Sequence, residues 1–445
     1  MRFVIVGGSD AGISAALRAR ELDGAAHITV ILADAFPNYS ICGLPFYVSG
    51  ETPDWRQLAH RTEFEGVELL RNHTAQAFDP SGRTLAVTDD SGRDKRIAYN
   101  VLLIPTGARP IIPLISGIDT PGVFPLHKME DSFRVHRYLA ENEPQSAVIV
   151  GSGYIGLEMA DALTHRGLQV TLIGRSKTVL PTVDASFGRA VEDTLRGHGV
   201  RVESACEVHG IIQDRGRLHV YGSKELNVSA EMVLVAVGVE PNAVIGEKAG
   251  LRTGIKGALC VSRRMGTDIA GVYAAGDCVE TWHRLLGAYT FLPLGTTSHK
   301  QGRVAGENAV GGSREFQGSL GTQVVKVFDL AIARTGLRDD EARKAGFQPS
   351  TAESRHFDHK AYYPGARQLC ISVTGDRNTG RLLGAQMLGH WQAEVAKRID
   401  VYATALFHGM GVDGLNDLDL SYTPPFSSPW DPVQMAAQAW GRAAA

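Results

Sequence analysis

Gly151-Ser-Gly-Tyr-Ile-Gly156 follows the apolar run Ala147-Val-Ile-Val150 and opens a helix-forming stretch, Leu157–Arg166, that leads to a second apolar run, Val170-Thr-Leu-Ile173. Strand, Gly-x-Gly-x-x-Gly, helix, strand is the order of a dinucleotide-binding unit. Gly151 permits the tight turn, Gly153 lets backbone approach a pyrophosphate, and Gly156 lets the helix pack on the strand. Amides at the helix N-terminus, around Tyr154 and Ile155, then donate to the phosphates. Outward from this stretch, the same plan recurs at the start of the chain. Arg2-Phe-Val-Ile-Val6 precedes Gly7-Gly-Ser-Asp-Ala-Gly12, a helix over Ile13–Leu22 follows, and Ile28-Thr-Val-Ile-Leu32 closes the unit. Ser9 stands where the middle glycine would be, while Gly7, Gly8, Ala11 and Gly12 keep the turn small. The duplication predicts two Rossmann-like domains with parallel sheets, hence an α/β fold.

The residue after each second strand bears on the ribose. Asp34 follows Leu32 and can accept from ribose hydroxyls. After Ile173 comes Gly174-Arg-Ser-Lys177, with no carboxylate. Arg175 there suits a 2′-phosphate, which favours NADPH over NADH. Two matching strand exits, Leu102-Leu-Ile-Pro-Thr-Gly-Ala-Arg-Pro110 and Val235-Ala-Val-Gly-Val-Glu-Pro241, place Thr106, Gly107 and Arg109 in one copy and Gly238 in the other. A further apolar run from Ile269 ends in Gly276-Asp277, where a carboxylate can accept from ribityl hydroxyls.

Composition narrows the class. A chain of 445 residues with 44% hydrophobic and 21% charged residues is an ordinary globular protein of several domains. Its 50 glycines exceed the usual share, as backbone that turns tightly or approaches ligands requires. The net charge of −3 carries no long run of one sign, which argues against nucleic-acid and anionic-membrane partners. No apolar stretch is long enough to span a bilayer, and a strand within the first three residues leaves no room for a signal peptide. The five cysteines (Cys42, Cys206, Cys260, Cys278 and Cys370) form no Cys-x-x-Cys pair. A disulfide framework is therefore not expected, and a reducing cytoplasm is. His356 and His359 lack cysteine or carboxylate partners in register, so no metal site is expected.

Further strings carry a resemblance. Asn38-Tyr-Ser-Ile-Cys-Gly-Leu-Pro-Phe-Tyr47, Leu294-Gly-Thr-Thr-Ser-His-Lys-Gln-Gly-Arg303, Lys326-Val-Phe-Asp329 and the tail Leu418-Asp-Leu-Ser-Tyr-Thr-Pro-Pro-Phe-Ser-Ser-Pro-Trp-Asp-Pro432 join the two nucleotide units. Together they resemble the flavoprotein disulfide reductases, in the single-cysteine branch that holds coenzyme A disulfide reductases, NAD(P)H oxidases and peroxidases, and persulfide reductases. The resemblance implies a discontinuous FAD domain, 1–113 with 244–320, an inserted NAD(P)H domain, 114–243, and an α+β dimerisation domain, 321–445. FAD would be held by the first glycine turn, Asp34, Thr106, Gly107, Arg109, Gly276, Asp277, Leu294, Gly295 and Thr296. NAD(P)H would meet the second turn, Glu158, Arg175 and Gly238. The rhodanese domain fused to some relatives is not expected here.

The resemblance also assigns chemistry. NAD(P)H gives hydride to one flavin face and Cys42 lies against the other, its thiolate stabilised by charge transfer and a helix N-terminus. One thiol closes no internal disulfide, so its oxidised form is a mixed disulfide or a sulfenic acid. The tail would place Tyr422 in the partner's site, with Tyr362 as a second phenol, in a homodimer. The substrate pocket would comprise Asp10, Arg18, Asn38, Ile41, His299 and Trp430. Several of these depart from the pattern. Asp10 replaces the histidine of oxidases, Glu21 a basic residue, Ile41 and His299 asparagines, and Trp430 a lysine. The expected activity is reduction of a small disulfide or persulfide that is not CoA-specific. A peroxidase or oxidase cycling Cys42 through sulfenic acid is the alternative, and a redox-sensing or electron-carrying flavoprotein a third reading.

Overall fold

The computed structural model describes residues 1–444. The first strand, Arg2–Val6, pairs in parallel with His27–Ile31 on one side and Val101–Ile104 on the other. Val67–Leu70 and Val272–Ala274 complete a five-stranded sheet around it. This central position explains the unbroken apolar run, because both faces are covered and Phe3 and Ile5 are wholly buried. The second unit repeats the arrangement. Ser146–Val150 lies between Gln169–Gly174 and Met232–Val235, with Arg201–Ser204 and Val123–Pro125 at the edges.

Boundaries shift slightly from those read in the sequence. The first strand–turn–helix begins its helix at Asp10, not Ile13, and the helix runs to Leu22. Ser9, in extended conformation, ends the turn, and Asp10 then sits in the first helical turn, where the dipole favours a carboxylate. The strand read as 28–32 is His27–Ile31.

Two glycines meet the same constraint. A Cβ on Gly12 would collide with the Gly7 carbonyl, and one on Gly156 with the Gly151 carbonyl. The third glycine of each turn is therefore fixed by helix–strand contact, as the sequence pattern implied.

Beyond residue 320 the plan changes. Gln323–Val327, Leu330–Gly336, Leu382–His390, Gln368–Asp376 and Pro349–Phe357 form an antiparallel sheet in that order. The helices Val395–Phe407 and Pro432–Ala444 pack on it, burying Ile399, Tyr402, Ala436 and Trp440 in a common core. A short ribbon, Ala108–Pro110 against Val239–Pro241, bridges the two nucleotide units. The chain is thus mixed α/β with a separate antiparallel C-terminal domain, and no described helix is long and apolar enough to cross a membrane.

Candidate functional site

Three segments converge on the N-terminus of the Asp10–Leu22 helix. Gly276 lies against Ala11, and Gly7 against Pro105 of the Thr106 exit. Gly295, first residue of the Gly295–Ala309 helix, lies beside the Asp10 carboxylate. Contact between the two helices is close because Gly302 and Gly306 face Ala11 and Ala15 backbone. Gly276 has φ +87°, and its amide donates to Gln301 Oε1 at 2.9 Å. Ser298 Oγ donates to Asp277 Oδ1 at 2.7 Å, while burial pushes the Asp277 carboxyl up. The first helix N-terminus and the Asp277 carboxylate thus lie close together.

Those residues fit a flavin dinucleotide. The Gly7–Gly12 turn has no side chain to block a pyrophosphate, and Asp277 holds a position suited to hydroxyl donors. Asp34 is partly buried, accepts from the Phe36 amide at 2.9 Å and is pushed up by that burial. Thr106 Oγ1 donates to the Asn242 carbonyl at 2.6 Å, and Arg109 pairs with Glu240 at 2.8 Å. These last two tie the strand exits of the two units together. Gly107 and Gly238 both take positive φ at those exits.

Cys42 occupies a single 3-10 turn, Ile41–Gly43, just before the short helix Leu44–Ser49. The amide of Asn38, at φ 56°, donates to the Gly8 carbonyl at 2.9 Å and ties this segment to the first glycine turn. Asn38 Nδ2 donates to the Arg61 carbonyl, so its side chain serves the local loop. Cys42 is an exposed residue, yet nearby protein partly desolvates its thiol. That surrounding desolvation, with the charges of Glu158, Asp10 and Asp277, pushes its pKa up. The helix that follows has six residues.

Asp10 and His299 meet across the two helices. His299 Nε2 lies 3.4 Å from Asp10 Oδ1, and its Nδ1 is 2.8 Å from Ser14 Oγ. Nearby, Arg18 pairs with both Glu21 and Glu307 at 2.7 Å, and Arg303 lies 3.6 Å from Glu21. Arg18 and Arg303 are thus met by carboxylates.

In the second unit, Gly174 has no room for a side chain because Ser152 fills the space beside it. Arg175 and Lys177 are exposed next to this turn and form no ion pair among the described residues. The Tyr154 hydroxyl is engaged with Gln323 and Thr182. Glu158, four residues into the same helix, is pushed up to about 7 by burial and by Asp161. Asp161 itself accepts from the Phe328 amide at 2.8 Å and lies 3.4 Å from Lys326.

Tyr422 and Tyr362 belong to the C-terminal part of the chain that carries the antiparallel sheet. Tyr362 is 73% exposed, Phe426 66%, Trp430 53% and Tyr422 44%, an uncovered aromatic surface on one subunit. Lys360 Nζ stands 6.0 Å from the Tyr422 ring and links the two segments. His356 bonds Ser354 and His359 bonds Asp358, and no metal-holding group occurs among the described residues. A cavity of about 580 Å3 lies between the 295–309 and 395–407 helices, lined by Thr296, Lys300, Arg303 and Phe407.

Sequence reading missed Ser298, Gln301 and Glu307. The first two are spaced by three on one helix face, a legible pattern, but only the fold shows that this face meets Gly276-Asp277.

Residues 1–302 match the pyridine nucleotide-disulphide oxidoreductase family, and 322–432 its dimerisation domain. The chain belongs to this family, and it is an FAD-dependent oxidoreductase that uses NAD(P)H. Among individual proteins, it is 35% identical to an NAD(P)H sulfur oxidoreductase (CoA-dependent) of Pyrococcus furiosus, over 98% of both chains. Its fold superimposes on an NAD-dependent persulfide reductase from A. fulgidus with TM-score 0.94 and 36% identity, covering 98% of this chain and 82% of that one. Reduced Bacillus anthracis CoADR-RHD gives TM-score 0.96 at 30% identity, covering all of this chain and 80% of the other.

Proposed function

We propose that this enzyme reduces a small, weakly anionic disulfide or persulfide, with Cys42 as the redox relay. The observation that carries the reading is the position of Cys42, the one accessible thiol at the convergence of the flavin-type cradle, with Asp10, Glu158 and Asp277 around it. Bound FAD supplies two-electron transfer between the nicotinamide and sulfur. The first glycine turn, Asp34 and Asp277 hold it, and the second turn with Arg175 holds the electron donor. Our division of the chain is 1–113 with 244–320, 114–243, and 321–445. The exposed aromatic tail bearing Tyr422 and Trp430 closes the partner's site in a homodimer.

Substrate charge follows from the mouth. Arg18 is shared by Glu21 and Glu307, so it offers little uncompensated charge to phosphates. A charge-assisted contact is worth roughly 1.5–3 kcal/mol. Two lost cations, at Glu21 and Trp430, weaken a polyphosphate thiol by about two to four orders of magnitude if additive. The test compares kcat/KM for CoA disulfide with a panel of uncharged disulfides and persulfides. The uncharged compounds should lead, and Glu21→Arg with Trp430→Lys should raise CoA disulfide turnover. CoA disulfide at the head of the wild-type panel overturns this substrate assignment.

A further inference from the structure

Four segments far apart in the chain bring basic side chains to a second cavity, of about 420 Å3. Arg263 comes from a turn, Arg284 from just past the strand Thr281–His283, and Arg381 from just before Leu382–His390. His408 ends the helix Val395–Phe407. Among the described residues no carboxylate lines this cavity, although the whole chain carries a net charge of −3. None of the residues assigned above to flavin, electron donor or sulfur lines it.

These arginines are held in place without being neutralised. Arg284 donates from Nε to the Phe407 carbonyl and from Nη1 to the Gln317 carbonyl, each at 2.9 Å. Its guanidinium lies 3.9 Å from the centre of the Phe407 ring. Carbonyls and a ring face orient a guanidinium but leave its full charge. Arg381 is half-buried, and a backbone bridge to Gly411 fixes its place. Neither Arg284 nor Arg381 forms an ion pair among the described residues, while Arg263 has Glu315 at 3.2 Å. The adjoining 580 Å3 cavity shares Phe407 and His408, and it adds Lys300, Arg303 and Arg314 against Glu315 and Asp400. Planar guanidinium forks match phosphate oxygens in pairs, and several together call for more than one negative charge. Trp282 and Phe407 already face Arg263 and Arg284, so recognition falls to the anion rather than to a stacked base.

We propose that this cavity binds a small molecule through a pyrophosphate group, free or carried by a nucleotide, with Arg284 and Arg381 as the contacting cations. The site lies apart from the sulfur chemistry, and its occupancy requires neither Cys42 nor a disulfide.

The test is isothermal titration calorimetry on FAD-loaded enzyme saturated with NADP⁺, so that both dinucleotide sites are filled. Inorganic pyrophosphate and ADP are the probes, with sulfate as the single oxyanion. Pyrophosphate should bind at one site per subunit, at least about tenfold more tightly than sulfate. ADP of equal affinity at that site marks recognition of the phosphates alone, and tighter binding marks a nucleotide as the carrier. ADP that does not compete marks free pyrophosphate as the ligand. Arg381→Gln removes one charge-assisted contact and should weaken pyrophosphate by about ten- to hundredfold. Arg381→Lys keeps the charge but loses the fork, so it should weaken binding by less. It also reads the same contact if Arg381→Gln fails to hold its flavin, which the flavin spectrum checks. No binding of pyrophosphate at millimolar concentration, or sulfate bound as tightly, overturns the proposal. Equal affinity in wild type and in both Arg381 variants also overturns it.

Discussion

Arg175 and Glu158 show how single side chains set the electron-donor side. Arg175 is exposed and lacks an acidic partner among the described residues, and Gly174 leaves no space for the carboxylate that a 2′-hydroxyl would use. Arg175→Ala should raise KM for NADPH more than for NADH, measured with one disulfide at saturation. Equal changes would show that the guanidinium faces elsewhere. Glu158 titrates in the folded protein near 7, above its ordinary value of 4.5. Over that interval the folded state holds a proton that the unfolded state has released, so stability falls as pH rises through it. Glu158→Gln should therefore raise the thermal midpoint at pH 8 and change it little at pH 4. A midpoint raised equally at both pH values would show that ionisation is not the cause.

At the scale of elements, the pairing of the first helix with the 295–309 helix organises the site. Gly302→Ala would press a methyl onto Ala11 backbone, an overpacking that typically costs about 1–3 kcal/mol. Differential scanning fluorimetry and flavin retention should both report the loss. Gly441→Ala, where nothing lies within 4 Å, should raise stability slightly, by up to about 1 kcal/mol from helix propensity. Much at this scale was legible in advance. Period and glycine spacing located both nucleotide units, since buried parallel strands and tight turns leave strong local marks. What the sequence hid were contacts between distant segments: Gly295 against Asp10, Gln301 on the Gly276 amide, Glu307 on Arg18. Nothing local in a sequence encodes them. The acidic groups whose charge bears on Cys42 likewise lie 32, 116 and 235 positions away.

The whole molecule poses the question of completeness. One subunit leaves Tyr362, Phe426 and Trp430 largely uncovered, and its Cys42 exposed. We propose a two-fold dimer in which each tail lies over the partner's Cys42. Co-expressed Cys42→Ser and Tyr422→Phe chains, isolated as the mixed dimer, should then recover about half of wild-type activity, because one of two shared sites is intact. Mixed dimers no more active than the two parents would place Tyr422 outside the partner's site. The most direct measurement concerns Cys42, the centre of the account. Purified holoenzyme is given NADPH and an uncharged disulfide, and NADPH consumed is compared with thiol released, for wild type and Cys42→Ser. Wild type should release two thiols per NADPH, and Cys42→Ser should keep its FAD yet show no disulfide-dependent NADPH consumption. Undiminished thiol release by FAD-loaded Cys42→Ser would contradict the account.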